Sequence, residues 1–245
     1  MDEQLDADTE MIAGQEPPSA RMPLNSARVV EAALAYIDEH GLASLTMRRL
    51  GQRLGVEAMA LYRHVPGREE LLDLVVQAMI DEMKDDDDVL VRPRDGWQDF
   101  VQRLAHGVRR VALTHPRAFP LVASRPPEAP WLRPPLRSLD WVETFLTGLK
   151  QEGFDDASCA GAYRAFTSFL LGHLLLEVAN HGADVGPLDV LEDENEPSRG
   201  GLEKYPTVLR LRDRLSQDQA AVEFEESLEE LLQRMVLMLS ESSGS

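Results

Sequence analysis

Three groups of side chains in this sequence have the types and spacing to do chemistry. The first gathers cations, rings and small residues between positions 46 and 68: Thr46, Met47 and Arg48, then Ala58, Met59, Ala60, Tyr62, Arg63 and His64, then Arg68. The guanidinium fork of Arg63 matches the O6 and N7 acceptors of guanine, and it matches a phosphate equally well. Tyr62, His64 and Arg68 suit phosphate clamps that set orientation, whereas Ala58, Met59 and Ala60 offer only apolar contact, for instance to a thymine methyl. Thr46 with the amides of a helix start can face a phosphate, and Arg48 can reach a phosphate or a base. The second group is His173, Glu177 and His181, whose spacing of four and eight puts them on one helical face and permits a metal site. Core or pocket polar groups are the commoner use of such residues, so no metal and no cofactor is expected. The third is the run Asp85 to Asp88, which lacks the spaced ligands and closing Glu of a calcium loop and reads as solvated charge.

An acid–base enzyme using Glu177, His173 or His115 is the competing class. The sequence offers it no nucleophile elbow, phosphate loop or spaced metal motif. The formal net charge of -18 opposes nucleic-acid binding only as an average. Residues 1–20 carry six acids and no base. Residues 21–68 carry seven arginines against Glu31, Asp38, Glu39 and Glu57, and residues 69–88 return to nine acids against Lys84. A single positive island stands between acidic flanks, and DNA binding, if the chain does it, is expected there.

The elements that must position these residues follow from periodicity and caps. Val29, Val30, Ala33, Leu34 and Ile37 recur at helical spacing after a cap at Asn25 or Ser26, with Gly41 at the end. Thr46 caps a short helix over Met47 to Leu54, Gly55-Val56-Glu57 forms a turn, and a third helix runs from about Ala58 to His64 before Val65-Pro66-Gly67. Leu61 points inward with Leu54 and Val56. A fourth helix has Glu69 and Glu70 in its first turn and Leu71, Leu72, Val75, Val76, Met79 and Ile80 on its apolar side. Two short helices around a glycine turn, braced by longer ones, form a helix-turn-helix.

Helical periodicity resumes over about Trp97 to Thr114, Leu136 to Gln151, Ala157 to Asn180, Thr207 to Leu215 and Asp218 to Leu239. A polar loop containing Asp193 to Pro197 and Gly200-Gly201 precedes the last two. No strand-like alternation is present, so the fold class is all-α: an N-terminal three-helix DNA-binding domain and a larger helical ligand-binding and dimerisation domain. The expected organisation is a disordered acidic arm over 1–22, the helix-turn-helix over 23–68, a connecting helix over 69–84, the sensing and dimerisation domain over 85–240, and a flexible tail over 241–245. The lone Cys159 cannot form an internal disulfide, no stretch approaches the roughly 20 apolar residues of a membrane span, and Met1 to Glu16 is acidic where a secretory signal starts basic. A cytoplasmic protein is expected.

The stretch Ala32-Ala33-Leu34, Gly41-Leu42, Leu45-Thr46-Met47-Arg48-Arg49-Leu50, Leu54-Gly55-Val56, Leu61-Tyr62-Arg63-His64-Val65 and Arg68-Glu69-Glu70-Leu71-Leu72 resembles the N-terminal signature of the TetR family of bacterial transcriptional regulators. Further on, Gly96-Trp97-Gln98-Asp99-Phe100, Thr114-His115, Ser124-Arg125-Pro126 and Gln151-Glu152-Gly153-Phe154 resemble the sensing domain of that family's tetracycline repressor branch.

The resemblance implies a homodimer built on a four-helix bundle from the last two long helices, a double-stranded operator as partner, and a small-molecule effector inside each sensing domain. Leu228, Leu231, Leu232, Met235 and Leu239 form the stripe that such a dimer buries. The effector-lining candidates are Ile80, Leu104, Val108, Leu121, Trp131, Trp141, Phe145, Phe166 and Leu170, with Ser124, Arg125, His173 and Glu177 as polar contacts. Tyr163 and Phe169 lie in the same segments. The positions at which the tetracycline repressor holds a drug-bound magnesium with histidines carry Lys84 and Leu121 here, which points away from magnesium-tetracycline and towards a largely apolar effector. A regulator of this family that answers to a protein partner is the alternative.

Overall fold

The computed structural model describes residues 23–89, 92–125, 128–184 and 203–242, and within them every regular element is helical. The expected acidic arm and the polar loop around Asp193 to Gly201 lie outside the described residues. Helix α1 (Ser26–His40) starts where the Asn25 side chain accepts from the Arg28 N–H at 2.9 Å, and it ends at Gly41, whose φ of 79° only glycine adopts readily. Helix α2 (Met47–Leu54) is capped by the Thr46 hydroxyl, which accepts from the Arg49 N–H at 3.2 Å, and it stops at Gly55 in the left-handed region.

Helix α3 is shorter than its sequence predicts, Ala58–Leu61 instead of running on to His64. The N–H groups of His64 and Val65 both donate to the Leu61 carbonyl at 2.9 Å, closing the chain into a turn ahead of Pro66. Tyr62, Arg63 and His64 therefore project from a tight turn. Helix α4 (Arg68–Asp81) continues as a 3₁₀ turn over Glu82–Lys84.

The larger region follows with α5 (Trp97–Thr114), the one-turn α6 (Leu121–Ser124), α7 (Leu139–Gln151) and α8 (Asp156–Asn180). A one-turn helix is too short to register as periodicity, so α6 had no sequence signal beyond Pro120 at its start. Helix α7 begins at Leu139 and not Leu136, because the chain bends at Pro134 and Pro135, which offer no N–H to a helix, and Ser138 supplies the cap for the Trp141 N–H at 3.3 Å. Helix α9 (Pro206–Leu215) buries none of its residues, and Val208, Leu209 and Leu215 stand exposed. Helix α10 (Ala220–Ser242) runs past its expected end, since no Pro or Gly interrupts it. Glu241 thus belongs to the helix and not to a flexible tail, while residues 243–245 lie outside the described set.

Helices α1, α2 and α4 enclose one core centred on Val29, Ile37, Leu50, Leu61 and Val75. That core continues through Phe100, Phe145 and Phe166 among α5, α7 and α8, and α10 packs along α8 through Phe224, Leu228 and Met235. Helix α4 also touches α5 and α6, and through it the buried residues of the two regions run together as one cluster. No described helix is long and apolar enough to cross a membrane.

Candidate nucleic-acid interface and ligand groove

The turn and short helix after Gly55 present an exposed surface. Met59 is 73% exposed, Tyr62 43%, and Arg48, Arg63 and Thr46 are exposed beside them, while Ala58, Ala60 and His64 are half-buried. Arg48 and Arg63 make no hydrogen bond or ion pair among the described residues, so their guanidinium groups are available to an anion. Their neighbours have other duties: Arg49 donates to the Ser44 carbonyl at 2.8 Å, and Arg53 grips Glu39 with two nitrogens. Met47, placed by its sequence position with the surface set, is buried in the core. Arg68 turns inward, its Nε donating to the Leu45 carbonyl at 3.3 Å and its Nη2 to that of Leu42 at 3.4 Å. It holds the α1–α2 connection in place. The Thr46 hydroxyl caps α2, so an anion there would meet helix-start amides more than this oxygen.

A polar clasp joins this head to the larger region, and nothing in the sequence pattern announces it. His115 Nδ1 lies 2.6 Å from Asp38 at the end of α1, and its Nε2 lies 3.0 Å from Glu82 beyond α4. Arg117 donates to the Glu39 carbonyl at 2.8 Å. Bonding to two carboxylates requires both ring nitrogens to be donors, which is the protonated imidazole. Burial opposes that charge, but the hydrogen bond and charge of Asp38 and the charge of Glu82 outweigh it and hold the His115 pKa above its ordinary 6.5. A folded pKa above the unfolded one means the clasp stabilises fully below pH 6.5 and is lost as pH rises through the folded value. Urea melts at stepped pH are expected to show this loss in the parent and a flatter profile in His115→Asn. An unaltered profile in the variant would contradict the clasp.

The residues expected around an effector divide into two sets. Leu104, Val108, Phe145, Phe166 and Leu170 are fully buried and packed on one another, with the Phe145 and Phe166 rings stacked 5.0 Å apart; Ile80, Leu121 and Trp141 are nearly as buried. The polar members are engaged elsewhere. Arg125 pairs with Asp73 at 2.8 Å and with Glu69, tying α6 to the first turns of α4. The Ser124 hydroxyl donates to the Leu121 carbonyl at 3.3 Å and lies exposed in α6. Glu177 accepts from Arg109 at 2.6 and 3.0 Å, and His173 Nε2 donates to the Ala220 carbonyl at 3.0 Å. Lys84 pairs with Asp81 at 2.7 Å, so neither it nor buried Leu121 presents a metal ligand.

Of the expected set, Trp131 stands at an open groove of about 460 Å³ between α7 and α8, Ile80 lines a smaller cavity of about 200 Å³ with Asp73 and Arg137, and Glu177 borders a cleft of about 560 Å³ with Arg109 and Ala220. The floor of the groove is Val142, Leu146, Cys159 and Ala160, and its walls carry Arg133, Lys150, Asp156, Tyr163 and Arg164. Burial pushes the Cys159 thiol up, so it lines the floor as a neutral group. The Tyr163 hydroxyl accepts from the Arg133 N–H at 2.8 Å and donates to the Arg133 carbonyl at 3.3 Å, fastening the rim to α8. Cations at 133, 150 and 164 share no sequence period, which is why only the folded chain assembles them.

Two family models match the chain. "Bacterial regulatory proteins, tetR family" covers residues 29–75, and "Tetracyclin repressor-like, C-terminal domain" covers residues 91–238. Tetracycline repressor protein class D from Escherichia coli is 31% identical over 175 residues, 71% of this chain and 75% of that protein. A possible TetR family transcriptional regulator from Streptomyces coelicolor A3(2) superposes with a TM-score of 0.68 at 28% identity, covering 87% of this chain and 99% of the other. ActR from Streptomyces coelicolor, solved in complex with (S)-DNPA, superposes with a TM-score of 0.61 at 25% identity, over 88% and 98% of the two chains.

Proposed function

The chain belongs to the TetR family of transcriptional regulators, and from that premise we propose that it is a repressor whose dimer leaves a pseudo-palindromic operator when a small molecule enters the groove between α7 and α8. The observation that carries this reading is the pairing of exposed, unengaged Arg48 and Arg63 around Tyr62 with a ligand-sized groove in the same chain. Residues 23–68 read DNA, 69–84 transmit, and 85–240 sense and dimerise. The expected stripe of Leu228, Leu231, Leu232 and Met235 is already buried within the chain, so the apolar surface that a two-fold partner covers is instead exposed Leu176 on α8 with Val222, Val236 and Leu237 on α10. Such a dimer sets its two reading heads about 34–36 Å apart, one DNA turn.

The connection between α6 and α7 gives the switch a path. It holds α4 through Arg125 at its start and lines the groove with Trp131 and Arg133 further on. A ligand that prefers the displaced arrangement by about 1–3 kcal/mol lowers operator affinity roughly 5–150-fold. Ligand-complexed ActR, a relative by structure, supports a small molecule in this role over a protein partner. Of the acid–base groups of an enzyme reading, Glu177 and His115 are tied into ion pairs and His173 donates to the Ala220 carbonyl.

Footprinting on the DNA upstream of the chain's own reading frame tests the assignment. Arg63→Ala, Tyr62→Ala and Arg48→Ala are each expected to weaken protection, by about 1–3 kcal/mol where a bidentate base contact is lost. Circular dichroism should stay unchanged, since all three side chains are exposed. Parent-like footprints from all three variants would sink the proposal.

A further inference from the structure

The groove between α7 and α8 carries an electrostatic sign opposite to that of the whole chain. The chain has 43 acids against 25 Lys and Arg, yet the groove wall holds Arg133, Lys150 and Arg164 against Asp156 alone. Lys150 and Asp156 pair with each other, which leaves the two arginines as the local excess. Arg133 has a neutral partner, the Ser168 hydroxyl at 3.4 Å, and Arg164 makes no ion pair among the described residues. The Tyr163 hydroxyl is already committed to the Arg133 backbone, so polar recognition in the groove falls to the guanidinium groups. Beneath them the floor is apolar, and Trp131, 66% exposed, has no ring contact among the described residues. An indole face left open beside an apolar floor suits a flat ring system, and guanidinium forks beside it suit a carboxylate or phenolate. The volume, about 460 Å³, falls within the range of small-molecule pockets.

Resting on the reading of this groove as the effector site, we propose that it selects a planar aromatic anion, stacked on Trp131 with its charge between Arg133 and Arg164. Trp97 and Trp141 are 4% and 3% exposed, and titrating Trp131→Ala beside the parent separates quenching of Trp131 from energy transfer out of the buried pair. The test titrates the full-length protein with anthracene-2-carboxylate and with its neutral isostere anthracene-2-carboxamide, following tryptophan emission and operator release together. The carboxylate is expected to bind at least about tenfold more tightly, consistent with the greater strength of charge-assisted hydrogen bonds. The double variant Arg133→Gln/Arg164→Gln should abolish the carboxylate's advantage over the amide while leaving the melting temperature as in the parent. Equal binding of the two compounds to the parent would overturn the anion preference and leave the groove standing as the site. Carboxylate binding that survives both the double variant and Trp131→Ala would place the anion elsewhere and overturn the proposal. If neither compound binds or releases operator, the groove itself fails as the effector site, and the preference falls with it.

Discussion

Glu177→Ala is expected to destabilise the native state by about 3 kcal/mol, the low end of the range for removing one partner of a buried ion pair. The Glu177 side chain is 4% exposed and that of Arg109 18%, and two nitrogens of the guanidinium reach the carboxylate. The guanidinium also lies 5.0 Å from the centre of the Phe224 ring, which belongs to α10. Without the carboxylate a cation is left unpaired against the Phe224 ring, at the edge of a cleft of about 560 Å³ that the pair lines with Leu113 and Asn180. The small residual exposure of Arg109 is what keeps the figure at the low end. Because the cost comes from the orphaned charge and not from the worth of the pair, Arg109→Met/Glu177→Leu should recover most of the stability. Urea denaturation at fixed protein concentration checks both variants, the concentration mattering because a dimer's stability depends on it. A single-variant loss below about 1 kcal/mol, or no recovery in the double, would overturn this account.

The second large effect is expected at Gly51, in the middle of α2. A Cβ there would lie 2.9 Å from the Val56 carbonyl oxygen and 3.2 Å from the Ala58 nitrogen, both backbone atoms that cannot rotate aside. The Val56 N–H donates to the Gly51 carbonyl at 3.0 Å, so the same residue also closes the turn. Gly51→Ala is expected to cost roughly 1–3 kcal/mol, and Gly51→Val to reach or exceed the top of that range. The larger consequence is functional. Opening the turn displaces α3 together with Tyr62 and Arg63, so operator affinity should fall by more than the lost stability accounts for, on the order of 100-fold if two contacts of about 1–3 kcal/mol are weakened together. Footprinting at a temperature where circular dichroism shows the variant folded separates the two effects. Parent-like protection by folded Gly51→Ala would contradict the close approach of α2 and α3.

Both predictions turn on features that differ in how far the sequence discloses them. The reading head is legible because its determinants are local: Asn25 and Thr46 cap within one turn, Gly41 and Gly55 end helices by their own conformational freedom, and apolar residues three and four apart define the buried faces. The length of α3 is not legible in the sequence, because the chain closes twice onto the Leu61 carbonyl ahead of Pro66, with Val65 buried, and no period of 3.6 reports such a turn. Long side chains were harder still. Arg68 has the type and position of a phosphate clamp, but carbonyls of Leu42 and Leu45, more than twenty residues away in sequence, claim its guanidinium. Arg125 has the marks of a ligand contact and serves instead to tie α6 to α4.

The ligand side shows the same division at larger scale. Phe145 and Phe166 sit at positions where a cavity is expected, and in the folded chain they stack and fill it. The open groove lies next to them, built on Val142, Leu146 and Cys159 with arginines from two separate segments.

By itself the sequence of this protein determined that it is all-helical, that a positive island with a helix-turn-helix stands between acidic flanks, and that Arg63 and Tyr62 lie on its exposed side. Each of these follows from interactions spanning a few residues or from the plain distribution of charge. Only the tertiary structure decided which arginines remain available and which brace the fold, that His115 clasps the two regions, and that an acidic chain carries a cationic groove. The reason is reach: a guanidinium or an imidazole finds its partner through space at about 3 Å, and the residues that meet there come from helices whose order along the chain says little about which of their faces touch.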